Sequence, residues 1–273
     1  MSTPELSTLC ISVSEHIADI RLNRPAKSNA LNEAMWQEIG HAFRWADADP
    51  DVRVVILSGE GKHFCAGIDL AMLNGIAERI AHRDGARSRE TLRRIILDLQ
   101  GCLNTIENCR KPVLAAIHGA CVGGALDLVT CCDMRYVAED AQFSVKEIDI
   151  GMVADVGTLQ RLPRLIGEGQ ARELAYTGRN LDAAGAVQLG LANRSFATPE
   201  ALLAGVRDIA LQIARKSPLA VRGSKEILNF SRDHTVADGL NFVATWNAAM
   251  LLSSDLAETQ RAQRDRRPPQ FEA

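Results

Sequence analysis

The 273-residue sequence predicts an α/β fold with a helical C-terminal segment. Three observations predict it. Two apolar, valine-bearing runs of strand length, 52–57 and 113–117, read as buried parallel strands. Stretches with apolar residues at helical spacing precede each of them. From Pro199 onward the pattern is helical almost throughout. Strand–helix–strand alternation implies parallel strands joined by right-handed crossovers.

Each element has its own signal. Leu9, Ile11 and Val13 alternate, as do Ile20 and Leu22, which predicts a hairpin turning near 14–16. Ser28 or Asn29 is placed to cap a helix carrying Leu31, Met35, Ile39 and Phe43 on one stripe. Asp49-Pro50-Asp51 is a turn before the strand 52–57. Residues 71–88 are polar and hold Gly75 and Gly85, so they read as a mobile excursion. Leu92, Ile95, Ile96, Leu99, Leu103 and Ile106 mark a long amphipathic helix that Pro112 closes off. After strand 113–117, Gly123-Gly124 opens a helix reaching about Cys132, followed by short strands at 134–138 and 143–145. Asp133 is placed to cap the end of that helix. Thr198-Pro199 starts the first C-terminal helix, Ser217-Pro218 the second, and Thr235 the third. Residues 1–197 thus form an α/β core and 198–273 a helical C-terminal domain, with no internal repeat.

Composition narrows the function. The chain is 47% hydrophobic and 24% charged, which is ordinary for a globular protein. A net charge of −3 gives no global field for nucleic acid or anionic lipid. Arg261, Arg264, Arg266 and Arg267, interleaved with Asp265, read as a solvated helix end. No run approaches the ~20 apolar residues of a membrane span. The first residues do not read as a secretory signal, nor QFEA as a peroxisomal address, so a cytoplasmic location is the expectation. The seven cysteines form no CxxC pair and no metal-ligand spacing with histidine, so reduced, mostly buried thiols are expected.

Two glycine-bearing segments follow the two buried strands. The first is Phe64-Cys65-Ala66-Gly67-Ile68-Asp69-Leu70; the second is His118-Gly119-Ala120-Cys121-Val122-Gly123-Gly124. Ligands of open α/β sheets bind beyond the carboxyl ends of strands. Small residues there let a ligand approach main-chain N–H groups, and a helix starting at Gly123-Gly124 favours developing negative charge. Two amides converging on one oxygen make an oxyanion hole, where losing one donor typically costs about 3–4 kcal/mol of barrier. The alternative is that both are tight turns. Gly59-Glu60-Gly61-Lys62-His63 lacks the spacing of a phosphate-binding loop, and the Gly119–Gly124 segment lacks the dinucleotide fingerprint.

Three carboxylates stand in apolar or small-residue surroundings: Asp127, one turn into the helix after Gly124; Glu147; and Asp155, between Ala154 and Val156. Burial and like charge both raise a carboxyl pKa, which suits proton transfer near neutrality. Each could instead cap a helix or pair with Lys146, Arg161 or Arg164. Asp149 reads as a turn acid and His118 as a satisfied core histidine. Ser28 and Ser144 lack the histidine–acid context of a nucleophilic triad.

The motifs at 64–70, 111–119, 123–128 (Gly-Gly-Ala-Leu-Asp-Leu) and 132–135 (Cys-Asp-Met-Arg) resemble the crotonase, or enoyl-CoA hydratase/isomerase, superfamily. The stretch 145–163, with Ser231-Arg232-Asp233-His234 and Trp246-Asn247, is similar to its dienoyl-CoA isomerases. Hydratases of the superfamily carry two glutamates and a glycine-rich turn; here Asp127 takes the first position and Asp155 occupies the turn. The resemblance implies a spiral of ββα turns and a trimer built through the C-terminal helices, or a dimer of trimers. It implies conversion of 3,5-dienoyl-CoA to 2,4-dienoyl-CoA in fatty acid β-oxidation, with hydration of a 2-enoyl-CoA as the alternative. It implies Asp155 and Glu147 as the proton-transfer pair tuned by Asp127, and oxyanion donors at Ile68 and Gly124. Coenzyme A, as part of the substrate, would lie along Ala66, Gly67, Asp69 and Leu70, with Arg24 and Lys27 near its phosphates. No metal or redox cofactor is expected. A third reading, an RNA-binding protein on the same scaffold, needs a basic stripe that the net charge argues against.

Overall fold

A computed structural model of the protein describes residues 2–81 and 84–272. The predicted hairpin is present. Strands β1 (Leu9–Ser14) and β2 (Ile17–Leu22) pair antiparallel with Ser14 opposite Ile17. The two linking residues, Glu15 and His16, both have positive φ, as a two-residue hairpin turn matching strand twist requires. Strand β3 (Val54–Gly59) then pairs parallel with β2, β4 (Val113–Ile117) with β3, β6 (Met134–Ala138) with β4, and β9 (Arg194–Phe196) with β6. These six make the main sheet. A smaller sheet holds β5 (Ala120–Val122), β7 (Gln142–Ser144) and β8 (Leu181–Asp182) in that order.

The spiral arises because consecutive strands enter different sheets. β4 belongs to the large sheet and β5 to the small one, followed by helix α4 (Gly124–Thr130 below); β6 and β7 repeat that step. Strand periodicity then assigns side chains to two cores. Val55, Leu57, Ala115 and Ile117 face a cluster containing Trp36, Ile39 and Phe43 of α1 (Glu33–Ala48) and Leu99 and Leu103 of α3 (Gly85–Asn108). Val54, Ile56, Leu114 and Ala116 face the other way and meet Leu202, Val206 and Ala210. A sheet buried on both faces explains why its strands are continuously apolar.

Between α1 and α3 lies α2 (Leu70–Arg79). Beyond the small sheet come α5 (Thr158–Ile166), α6 (Glu168–Thr177) and α7 (Ala183–Leu189). The C-terminal helices are α8 (Pro199–Ala214), α9 (Pro218–Asp233), α10 (Val236–Met250) and α11 (Ser254–Asp265). Thr198, Ser217 and Thr235 cap α8, α9 and α10, and Thr235 with Asp238 forms a capping box. The boundary expected near 197 falls between β9 and α8, and α8 supplies the Leu202, Val206 and Ala210 that close the second face of the large sheet.

Three local expectations need correction. Helix α1 is capped by Asn32, not by Ser28 or Asn29. Those two residues sit at positive φ after a 3-10 turn, Pro25–Lys27, and the buried Leu31 precedes the helix. The excursion expected over 71–88 is helical over 71–79 and 85–88: Asp69 caps α2 and Asp84 caps α3, while 82 and 83 lie outside the described residues. Its polar residues lie on the exposed helical faces, opposite Met72, Ile76 and Ile80, which pack against the core. Asp133 does not cap α4; its Oδ2 accepts the Val113 N–H at 2.7 Å and the Lys225 ammonium at 2.7 Å, tying α9 to the start of β4.

Candidate active site

The site forms where the small sheet is extended by two isolated bridges, Cys65 with Cys121 and Leu31 with Ile68. In the second, the Leu31 N–H donates to Gly67 O (2.8 Å) and the Asp69 N–H to Leu31 O (3.0 Å). A parallel bridge of this kind turns the peptide groups on either side of Ile68 toward Leu31, so the N–H of Ile68 itself points the opposite way. Gly124 is the first residue of α4, where a helix cannot satisfy its own amide. The two amides are neighbours. A methyl group on Gly67 would stand 3.4 Å from Gly124 N and only 2.7 Å from Val122 O, and one on Gly124 would stand 3.8 Å from Ile68 N. Gly67, at φ +87°, must therefore be glycine for both conformation and close approach.

Glu147 lies in the 3-10 turn Lys146–Ile150 that follows β7. Its carboxyl packs onto the same glycine turn: a methyl group on Gly123 would come within 3.2 Å of Glu147 Oε1. Asp127 is fully buried in α4, and its Oδ1 accepts the Thr158 N–H at 2.5 Å, while among the described residues Oδ2 and the Thr158 hydroxyl have no partner. Asp155 stands half-buried in the loop leading to α5, with the buried Ala154 and Val156 on either side.

Among the described residues, none of the three acids forms a salt bridge with a base. The candidates for pairing are engaged elsewhere: Lys146 with Asp149 at 2.8 Å, Arg161 with Glu107 at 2.7 Å, and Arg164 with Asp233 at 2.5 Å. Burial is the largest influence on each carboxyl and outweighs the hydrogen bonds that oppose it. It raises Glu147 to about 7, with the negative fields of Asp127 and Asp155 adding to the effect. It raises Asp127 to about 6 against the Thr158 amide, with Asp155 adding repulsion. It raises Asp155 as well, against its own main-chain N–H. Three carboxyls that feel one another, near the Ile68 and Gly124 amides, can hold an oxyanion and move protons near neutral pH.

The expected coenzyme segment is placed as follows. Ala66 and Leu70 are exposed, Gly67 is buried, and Asp69 is partly covered. Arg24 binds Asp69 at 3.0 Å and also donates to Ala30 O, so its guanidinium clamps the segment from below the bridge to Leu31. Lys27 is exposed in the neighbouring 3-10 turn. His118 is satisfied by Gly61 O at 2.9 Å, as expected of a core histidine.

Sequence reasoning missed two organisers. Asn29, buried and at φ +53°, donates through Nδ2 to the carbonyls of Glu60, His63 and Phe64 and accepts the Arg24 N–H. It thereby gathers the loop that delivers Gly67 and Ile68. The only signal was an asparagine near a turn, which reads equally as a cap. Gln100 of α3 donates to the main-chain oxygen of Asp155 at 2.6 Å, a contact across 55 residues that leaves no local pattern.

The family model described as enoyl-CoA hydratase/isomerase matches residues 12–273. A protein of Arabidopsis thaliana named peroxisomal Delta(3,5)-Delta(2,4)-dienoyl-CoA isomerase is 51% identical over 92% of this chain and 90% of its own length. A mitochondrial protein of the same enzyme name from Homo sapiens is 46% identical over 92% of this chain and 77% of its own. The crystal structure of an enoyl-CoA hydratase from Bacillus anthracis superposes with a TM-score of 0.88 at 30% identity, covering 97% of this chain and 99% of that one. The names of the first two proteins carry peroxisomal and mitochondrial locations, which overturns the cytoplasmic expectation. Such addresses are read by receptors, and composition says nothing about them. The fold, the paired glycine segments and these matches agree: the chain belongs to the enoyl-CoA hydratase/isomerase family.

Proposed function

We propose that the protein isomerises 3,5-dienoyl-CoA to 2,4-dienoyl-CoA. The family supports a coenzyme A thioester as the substrate, and relatives at 43–51% identity that bear the isomerase name support this reaction over hydration. The observation that carries the reading is a set of three carboxyls, none in a salt bridge among the described residues: Glu147 against the Gly123 turn, with Asp127 and Asp155 near enough to raise its pKa.

The chemistry follows from that set. The thioester oxygen accepts from Ile68 and Gly124, which acidifies C2 and holds the enolate. Asp155, ionised, removes the C2 proton. Negative charge spreads along the diene to C6, where Glu147, protonated, delivers its proton. Burial keeps Glu147 protonated, and the negative field of Asp127 adds to that effect. The proton gained by Asp155 and the one lost by Glu147 balance, and exchange with solvent resets the pair. Removal and delivery occur several bonds apart, so two carboxyls suit the task where one would not. Each group of this kind contributes ~10²–10⁴-fold. The relay uses no cofactor beyond the coenzyme A of the substrate. The coenzyme would lie along Ala66, Gly67, Asp69 and Leu70, with Lys27 near its phosphates and Arg24 holding Asp69 in place.

The C-terminal helices support a trimer, singly or as a pair. Leu228, Val236, Leu240 and Leu252 are large apolar residues left exposed on α9, α10 and the turn after it, with Leu252 at 91%.

The test is the purified protein with 3,5-octadienoyl-CoA, followed by conjugated-dienoyl absorbance, beside crotonyl-CoA hydration. Isomerisation should exceed hydration by about a hundredfold or more, the worth of one correctly placed acid–base group. Hydration as fast as isomerisation would overturn the reading.

A further inference from the structure

The loop carrying Asp155 is held at its two ends. The Met152 N–H donates to Glu147 O at 2.9 Å, and the Thr158 N–H donates to Asp127. Among the described residues, the main chain between those points receives one hydrogen bond from a side chain of another element, that of Gln100 Nε2 to Asp155 O. Val153 is 70% exposed, and Gly151 and Gly157 bracket the loop at φ +73° and +136°. Ala154 and Val156 pack into the main core, and the peptide oxygen between them, that of Asp155, is where Gln100 adds a directional hold. Gln100 itself sits on the long helix α3, whose Leu99 and Leu103 are buried in the main core, so its amide projects from a rigid base. One to two turns further along α3, Asn104 and Glu107 take the Arg161 guanidinium at 2.9 and 2.7 Å. That guanidinium folds back over Gly157, where any side chain would collide with it. Helix α3 therefore grips the segment on both sides of Val156.

Resting on the isomerase reading above, we propose that Gln100 is a positioning residue for this reaction: its amide fixes the peptide of Asp155 so that the carboxyl meets the C2 proton of the bound thioester. A proton-transfer group must sit within hydrogen-bond reach of its target, and a displacement of about 1 Å can cost about 10²-fold in rate. Gln100 touches neither substrate nor the reacting atoms. Its contribution should appear in kcat and in C2 deprotonation, and thioester affinity, set by the Ile68–Gly124 side, should stay near that of the parent.

The experiment compares the parent, Gln100→Met, Gln100→Lys and Asp155→Asn in two assays: dienoyl isomerisation, and exchange of the C2 hydrogen of a saturated acyl-CoA with D2O. Rates are normalised to folded protein measured by circular dichroism at the assay temperature. Gln100→Met keeps length without a donor. It should lower kcat and C2 exchange together by about tenfold or more, with KM within about threefold of the parent. Gln100→Lys restores a donor of similar reach and should recover part of that loss. Asp155→Asn should abolish both reactions. If Asp155→Asn is inactive and Gln100→Met stays within threefold of the parent, or if its loss vanishes on normalisation to folded protein, the positioning role is overturned and the isomerase reading stands. If Asp155→Asn keeps the parental rate, both fall.

Discussion

At Gly67 a single methyl group has no room, and at Gly123 it would press on the Glu147 carboxyl. Gly67→Ala would drive a Cβ to 2.7 Å from Val122 O in a backbone region that disfavours side chains. The segment must shift, and the Ile68 amide with it. The expected result is a fall in kcat of about 10²–10³-fold, the loss typical of one oxyanion donor, with the folded protein retained. Steady-state kinetics beside circular dichroism checks it. Glu147 makes a second prediction, from its pKa. Its ordinary value is 4.5 and its folded value about 7. Between those pH values the folded state holds a proton that the unfolded state has lost, so stability falls as pH rises through the window and the penalty is complete above it. Glu147→Gln removes the penalty and should stabilise the protein at pH 8 by about 1–2 kcal/mol, after discounting for partial exposure, with no gain at pH 4. Urea unfolding at the two pH values measures this. In the parent, kcat/KM should fall on the alkaline side near pH 7 as the proton donor is lost. The acids and small residues of the site were legible because a carboxylate beside Ala and Val, or paired glycines after a strand, is costly without a purpose. Asn29 and Gln100 were not, because each acts on the main chain of a distant segment.

Among the elements, the strands and capped helices were readable because their signals are local: β4 is the apolar run 113–117, and Thr198, Ser217 and Thr235 cap where expected. Helix α2 was not, since Gly75 in its middle and the polar residues after it read as a loop, although Met72, Leu73 and Ile76 form a covered stripe. Asp133 was misread for the opposite reason: its partner, Lys225, lies 92 residues away on α9. That contact docks α9 onto the core. Burial raises the Asp133 carboxyl, and the Lys225 charge is what opposes the rise. Lys225→Met should leave a largely covered acid without its ion-pair partner, held by the Val113 N–H, and cost about 3 kcal/mol in chemical unfolding. A loss below about 1 kcal/mol would mean that α9 is held by packing alone.

For the entire protein, the large sheet is sealed on both faces, yet α9 and α10 still present Leu228 and Leu240 to solvent. Apolar surface of this kind on a closed fold calls for a partner, and a second and third copy are the simplest source. Sedimentation velocity should give a trimer or a pair of trimers for the parent and a monomer for Leu228→Glu combined with Leu240→Glu. A monomeric parent would contradict the proposed assembly. Neither sheet supplies the site alone. The large sheet delivers the two glycine segments, the small one presents Glu147, and the loop into α5 brings Asp155 within the field of both other acids. The proton relay between Asp155 and Glu147 is the claim on which the rest depends. Its most direct measurement is dienoyl-CoA isomerisation by Asp155→Asn beside its thioester affinity. The account predicts a rate lower by at least ~10³-fold with Kd within about threefold of the parent. An Asp155→Asn protein that isomerises at the parental rate would contradict it.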